Sequence, residues 1–539
     1  MAVATTRAIA LHGAVGHLID VQVDVSPGMV TTIIVGRPDA ALSEARDRCR
    51  MAIANSGFRW PTTRRTTILL SPADLPKRGT HFDLAVAVAV LAASVDPSEE
   101  APIPTDDTVF IGELSLDGGL RPTAGVLPMT MAAAQRGVRR VFVPEPQAAE
   151  AALVPGMAVF GMRSLAQVVA ELRGEPVPDA PPVPADSAST LLSWRGQDRL
   201  DEVDMADLVG APDALYAATV AAAGGHHLLL TGAKGAGKTT LAERIPGILP
   251  DLAPDEALEL TAVLSLSGAL PPGGRLVRRP PYAAPHHNAS ATSILGGGSG
   301  RVRPGELSRA HHGVLFLDEF PLFASDVVEA LRQPLESGDV TIARGEESAT
   351  FPARGIVVLA ANPCPCGAPS TGLGAARCSC DAVKVRAYDA KLKGPLADRV
   401  DIVREMQPPT VGLAGSVVTS AHLRSLVTAA RARQQERYAG TGWRLNAHVP
   451  TSVLRDRWPL DETSRRTVEE AVAAGRLTRR GATRVHRMAW TLADLEARSG
   501  PTVDDVDTAL RLRRGDPLAL LPVERLLLDG PATTAEVAR

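Results

Sequence analysis

The chain has 539 residues, which at roughly 150 residues per domain leaves room for about three or four domains with their own cores and excludes a single small fold. Apolar residues make up 45% and charged residues 22%, too apolar for wholesale disorder, and 3% aromatics are too few for a stacking-based binder of single strands. Lys and Arg number 57 against 60 Asp and Glu, a formal charge of −3, so any contact with nucleic acid has to come from a local basic patch.

Residues 1–173 alternate β-rich runs, 31–35 and 66–70, with alanine-rich helical stretches such as 129–135, which reads as a mixed α/β domain. The longest apolar run, residues 84–93, is about half of what crosses a bilayer, and the N-terminus lacks a basic, apolar and cleavage-site pattern. The expectation is a soluble, cytoplasmic protein without membrane contact. Residues 174–195 form a linker whose first part, 174–190, carries five prolines among small polar residues and has nothing to bury. Residues 196–410 contain short apolar strands at 228–231, 314–317 and 356–360 separated by helical segments, the pattern of a parallel sheet covered on both faces. From 411 to 539 the chain reads helical, with runs at 420–437 and 483–497, and no fixed-period repeat is visible.

The first of those apolar strands runs into Gly232, Ala233, Lys234, Gly235, Ala236, Gly237, Lys238 and Thr239, with Thr240 opening a helix-forming stretch, a G-x-x-x-x-G-K-[ST] loop in its required context. Glycines let backbone N–H groups turn inward around phosphates, Lys238 supplies a point charge to the β/γ oxygens, and Thr239 offers its hydroxyl to Mg²⁺. The strand 314–317 delivers Asp318 and Glu319 to the carboxyl edge of the sheet, where Asp318 suits the Mg²⁺ shell and Glu319 a role in orienting or polarising water. The strand 356–360 leads to Asn362, placed either to bond the water or γ-phosphate or to serve as a turn residue before Pro363. Residues 271–312 are long for a strand connection and hold six arginines (Arg275, Arg278, Arg279, Arg301, Arg303, Arg309) against Glu306, with a glycine tract at 296–300. On mobile loops such side chains suit sequence-blind phosphate contact; an ordinary solvated loop is the alternative. Cys364, Cys366, Cys378 and Cys380 offer four thiolates for a structural Zn²⁺, with reduced thiols or redox pairs as the alternative, and Cys49 stands apart. His286, His287, His311 and His312 read as hydrogen-bonding residues rather than metal ligands.

Further segments add specificity: Ile34-Val-Gly36-Arg-Pro38-Asp39, Ala223-Gly-Gly-His226, Pro285-His286-His287, Leu331-Arg332-Gln-Pro-Leu-Glu336, Asn362-Pro-Cys-Pro-Cys and Gly394-Pro-Leu-Ala-Asp398-Arg399. Together with the loop and the acidic strand they resemble, over nearly the whole chain, the magnesium-chelatase-like AAA+ ATPases of the ComM and YifB type. That resemblance implies a multidomain α/β chain: a Lon-protease-like N-terminal domain, a central AAA+ core with a parallel sheet, and a C-terminal helical lid. It implies ATP and Mg²⁺ as cofactors and an ATPase moving DNA as a helicase, with branch migration of incoming DNA as its task. A protein-remodelling motor like the magnesium chelatase subunit is the alternative. It also implies a homo-hexameric ring as partner, and recombination or competence proteins beyond it. By the same resemblance Asn362 is the sensor-1 residue, Arg399 an arginine finger for a neighbour's nucleotide, and Arg480 the sensor-2 arginine, with Arg479 competing. ATP would then close the cleft between sheet and lid. The Ser–Lys dyad of Lon is missing from Gly79-Thr80-His81-Phe82-Asp83 and from residues 118–128, so no protease activity is expected. Two departures from the family pattern are Ala233-Lys234 in place of two prolines, where the side chains point outward, and Ala283 in place of an arginine.

Overall fold

Two strands at the N-terminus fold back on each other at once: Val3–His12 and Val15–Ser26 pair in antiparallel register, His12 opposite Val15, across a turn that Gly13 enters at φ +61°. The computed structural model describes residues 3–95, 101–183, 202–208, 210–270, 274–298, 302–344, 347–366, 380–407 and 418–530. In the first sheet Thr32–Val35, Arg65–Ser71, Val15–Ser26, Val3–His12, Thr108–Phe110, Arg140–Pro144 and Ala158–Met162 lie side by side in that order. The apolar run at 84–93 is the helix Asp83–Ser94, buried nearly all round, with Leu84, Val86, Val88 and Val90 fully enclosed against that sheet. Among the described residues no helix is long and apolar enough to cross a membrane.

The proline-rich segment begins where Gly174 ends the helix Leu165–Arg173 in a left-handed conformation. Its first part lies along that helix, with Gln167 Nε2 donating to Pro178 O at 2.8 Å and Arg163 to Ala180 O at 3.2 Å. Residues 184–200 lie outside the described residues.

The second sheet is parallel throughout, in the order Tyr282–Ala283, Val314–Leu317, Ile356–Ala361, Leu228–Thr231, Ile402–Glu405. Its three inner strands are apolar at almost every position because both faces are covered. The geometry gives this sheet a front edge, where Gly232, Asp318 and Asn362 follow their strands, and a rear edge, where His227 and Asp401 precede theirs. The C-terminal helices pack on one flank: Ser420–Arg437 against Pro212–Gly224 and against Lys238–Ile248, and Arg479–Leu495 against Pro212–Gly224. The N-terminal domain docks through its helix Val126–Gln135 onto Pro254–Ser267, where the buried Glu150 carboxylate accepts from Leu127 N (2.9 Å) and Ser265 Oγ (2.5 Å).

Candidate functional site

The loop after Leu228–Thr231 is shaped by glycine. Gly232, Gly235 and Gly237 have φ of +152°, +83° and +88°, and a Cβ on Gly232 would meet Met406 O at 2.3 Å, so the loop crosses another backbone where no side chain fits. Gly237 leads into the helix Lys238–Ile248, whose unpaired N-terminal amides face the loop. Ala233 is half-buried and Lys234 exposed, so the two positions where the family pattern has prolines carry no packing load. Lys238 itself is buried at 7% exposure; its ammonium donates to Gly232 O (2.7 Å), Ala233 O (3.0 Å) and Asn362 Oδ1 (3.1 Å). Burial lowers its pKa, and the charges of Asp318 and Glu319 work against that shift.

Three strand ends meet at this lysine. Thr239 Oγ1 donates to Asp318 Oδ2 at 3.1 Å, which puts two hard oxygen donors side by side, a set that fits Mg²⁺. Glu319 sits in the left-handed region at φ +49°, a strained conformation for a side-chain-bearing residue, held by a bond from its N–H to Asp318 Oδ1 (2.9 Å). That twist turns its carboxylate toward Asn362, whose Nδ2 donates to Glu319 Oε1 at 3.1 Å. Asn362 therefore touches Lys238 with its oxygen and Glu319 with its nitrogen. Its backbone is clamped by Tyr388, whose hydroxyl donates to Asn362 O (3.0 Å) and accepts from Asn362 N (3.1 Å). Burial pushes Tyr388 up to about 12, so the clamp keeps its proton.

Arg399 and Arg480 are elsewhere. Both reach one carboxylate, Glu336 Oε1, from Arg399 Nε at 3.1 Å and Arg480 Nη2 at 3.2 Å, with Asp398 Oδ2 3.6 Å from Arg480. Glu336 belongs to the rear edge: its neighbour Leu335 offers its carbonyl to His227 Nε2 at 3.4 Å, and His227 precedes the strand whose far end carries the phosphate loop. A cleft between the sheet and the C-terminal helices opens on this rear edge. There Asp401 accepts from Arg484 Nη1 (2.6 Å) and His227 N (2.9 Å); burial works to raise its pKa, but Arg484 and the two histidines outweigh it and hold the carboxyl well below its usual range. Sequence reasoning found neither Tyr388 nor the Glu336 and Asp401 pairings, although Glu336 and His226 stood inside motifs it quoted.

Cys364, Cys366 and Cys380 bring their sulfurs within 4.8 Å of one another, a soft-donor set that fits Zn²⁺, while Cys378 lies outside the described residues. Cys49 is buried in the N-terminal core, its Sγ donating to Asp83 O at 3.3 Å. His311 and His312 flank Glu259 Oε2 at 3.1 and 3.2 Å. His311 Nδ1 accepts the N–H of Arg354 (2.9 Å), so the neutral ring carries its proton on Nε2, which leaves no lone pair for a metal. The arginine-rich segment is built, not loose. Residues 274–279 run back along Pro254–Ser267, with Val277 N donating to Thr261 Oγ1 (3.0 Å), and Gly296–Gly297 pairs with Arg303–Pro304. Arg275, Arg278 and Arg303 are exposed, Arg309 is tied to Glu306 at 2.6 Å, and Arg301 lies outside the described residues. A hairpin, Asp339–Arg344 with Glu347–Pro352, packs beside this segment, its buried Ala349 and Phe351 clustered with Val302 and Leu266.

Residues 204–412 match the family model of magnesium chelatase subunit ChlI, residues 21–147 a second ChlI model, and residues 418–513 the ChlI C-terminal model. The chain is 36% identical to YifB of Escherichia coli over 94% of its length and 96% of that protein, and 36% identical to the competence protein ComM of Haemophilus influenzae over 92% and 94%. The chain belongs to the magnesium-chelatase-like family. An uncharacterised protein of Mycobacterium tuberculosis is 42% identical over 95% of this chain and 99% of its own length. Membership in the magnesium-chelatase-like family makes the chain an AAA+ type ATPase that uses ATP and Mg²⁺.

Proposed function

We propose that the chain is a ring-forming motor that couples ATP hydrolysis to movement along DNA, a branch-migration helicase of the ComM type acting in the cytoplasm on incoming DNA, alone or with recombination or competence proteins. The observation that carries the hydrolytic half is Asn362, bonded at 3.1 Å both to the lysine that would hold the β/γ oxygens and to the glutamate that would activate water. Bound ATP supplies the phosphoryl group and Mg²⁺ the charge that offsets its oxygens. Gly232 to Thr240 wrap the phosphates with backbone N–H groups, Lys238 exchanges its carbonyl partners for phosphate oxygens, and Thr239 and Asp318 hold the cation. Glu319 orients the attacking water and takes its proton, while Asn362 keeps Glu319 and Lys238 in register. Arg399, and Arg480 beside it, are carried on the rear edge and so serve the nucleotide of the next subunit in a homo-hexamer, where a guanidinium neutralises charge on the transferred group. Cys364, Cys366, Cys378 and Cys380 hold a structural Zn²⁺ between sensor and finger. The N-terminal domain is a Lon-protease-like fold without the dyad, used for docking.

The DNA half is supported by the exposed Arg275, Arg278 and Arg303 in a chain of net negative charge and by similarity to a competence protein. A protein-remodelling motor is the second reading, favoured by the magnesium chelatase models that match all three parts of the chain. ATPase rates measured with single-stranded, duplex and branched DNA at two salt concentrations separate them. Stimulation by DNA that falls steeply with salt, and is lost in Arg275→Glu with Arg278→Glu while the basal rate stays, is the expected result; a rate indifferent to every nucleic acid sinks the DNA reading.

A further inference from the structure

The rear edge of the core sheet and the C-terminal helices flank an open cleft of 1210 Å³, larger than the roughly 300–1,000 Å³ of ordinary small-molecule sites. Its floor is His227 and Asp401, and its far wall is the opening turn of the 17-residue helix Arg479–Leu495. The phosphate loop is at the other end of the strand Leu228–Thr231, so this space is separate from the site of Lys238.

Charge sets the cavity apart. Seven arginines line it against three carboxylates. All three carboxylates are already committed: Asp401 to Arg484 at 2.6 Å, Glu336 to Arg480 and Arg399, and Glu469 to Arg465 at 2.6 Å. Arg487 spends its fork on a neutral carbonyl, Val449 O, at 2.9 and 2.6 Å. The guanidinium groups of Arg354, Arg455 and Arg479 have no hydrogen bond or ion pair among the described residues, and all three side chains are exposed to the cavity.

The cavity also has an apolar side, with Trp443 and Leu460 facing the same space as the free arginines. Four cations without a matching anion call for a ligand of several negative charges, and arginine forks match phosphate oxygens two at a time. An indole in the same wall suits a flat base. We propose that this cavity is a second nucleotide site, taking a nucleoside polyphosphate whose phosphates lie on Arg354, Arg455 and Arg479 and whose base lies on Trp443. The cavity shares Arg479 and Arg480 with the proposed role of the lid helix at a neighbour's nucleotide, and the second site rests apart from that role on Arg354 and Arg455, which take no part in it or in the finger role of Arg399.

The test uses the full-length Lys238→Ala protein, in which the phosphate loop has lost its cation, titrated with ATP and with inorganic tripolyphosphate by calorimetry and tryptophan fluorescence. One ATP per chain is expected to remain bound and to be displaced by tripolyphosphate. In the same background Arg354→Glu and Arg455→Glu, both at exposed positions, are each expected to weaken binding by about tenfold or more. Trp443→Phe is expected to remove the fluorescence change while calorimetric binding persists. A Lys238→Ala chain that binds no ATP, or residual binding indifferent to both charge reversals, overturns the assignment. So does a cavity that takes a short oligonucleotide and refuses ATP.

Discussion

The two edges of the core sheet are built differently. On the front edge Lys238, Asp318, Glu319 and Asn362 each stand within a few residues of a strand end, so three parallel strands deliver the reacting groups to one point. On the rear edge His226 and Asp401, and Glu336 and Arg399, come together from segments far apart in the core, and Arg480 and Arg484 reach Glu336 and Asp401 from the C-terminal helices. In the proposed head-to-tail ring, a front edge complete in one chain would face the Arg399 and Arg480 pair that the rear edge of the next chain holds on Glu336. The largest effect should therefore come from the front. Glu319→Gln is expected to keep nucleotide while kcat drops about 10²–10⁴-fold, the range for losing a general base, whereas Lys238→Ala should lose nucleotide at the loop itself. Equal loss of binding in both would mean that Glu319 holds ATP and does not activate water.

The next test sets one edge against the other. Arg399→Ala should lower kcat by about 10³-fold, the low end for an arginine finger, with nucleotide affinity at the chain's own loop unchanged. Mixed one to one with Lys238→Ala chains, it should regain activity, because about a quarter of the junctions in a randomly assembled ring pair an intact loop with an intact finger. Failure of the mixture to recover, with weakened binding in the Arg399→Ala chain itself, would place that arginine in its own subunit's site and erase the distinction between the edges.

That asymmetry decides what the sequence could disclose. The phosphate loop, Asp318 and Glu319 are contiguous, and their chemistry follows from spacing; the helix written at 420–437 is present as Ser420–Arg437 because its amphipathic pattern is unbroken. The edge strand Ile402–Glu405 escaped notice since Arg404 and Glu405 break its apolar run, yet Arg404 is buried and reaches Asp516 O at 2.9 Å. The glycine-rich, arginine-rich stretch at 271–312 has the composition of a loose loop but pairs strand to strand at Gly296–Gly297, where a Cβ on Gly296 would meet Arg303 O at 2.4 Å and one on Gly297 the Thr292 methyl at 2.8 Å. Tyr388 is a lone aromatic in a polar helix, and its role depends on facing Asn362 across 26 residues. The meeting of Arg399 with Arg480 on Glu336 is likewise a product of lid docking, which no local pattern encodes.

The smallest effect concerns protons, and it also separates the edges. His226 is fully enclosed at the rear, Nε2 bonded to Thr491 Oγ1 at 2.8 Å, and burial pushes it down to about 4 against a pull upward from Asp401. An unfolded chain takes up that proton near pH 6.5, while the folded chain refuses it until about pH 4, so the unfolded state binds more protons in between. Stability is accordingly full above pH 6.5 and falls as the pH drops, by about 3 kcal/mol at most for this one group once pH 4 is reached. Since His226 ties the strand Leu228–Thr231 to the lid helix Arg479–Leu495, the lid should loosen first. Thermal melts from pH 7.5 to 5 are expected to show Tm falling with pH in the parent chain and falling less in His226→Gln, which keeps a hydrogen-bonding group but does not titrate. Parallel slopes in the two proteins would move the acid sensitivity to other histidines whose pKa values burial lowers, such as His227, His311 and His486.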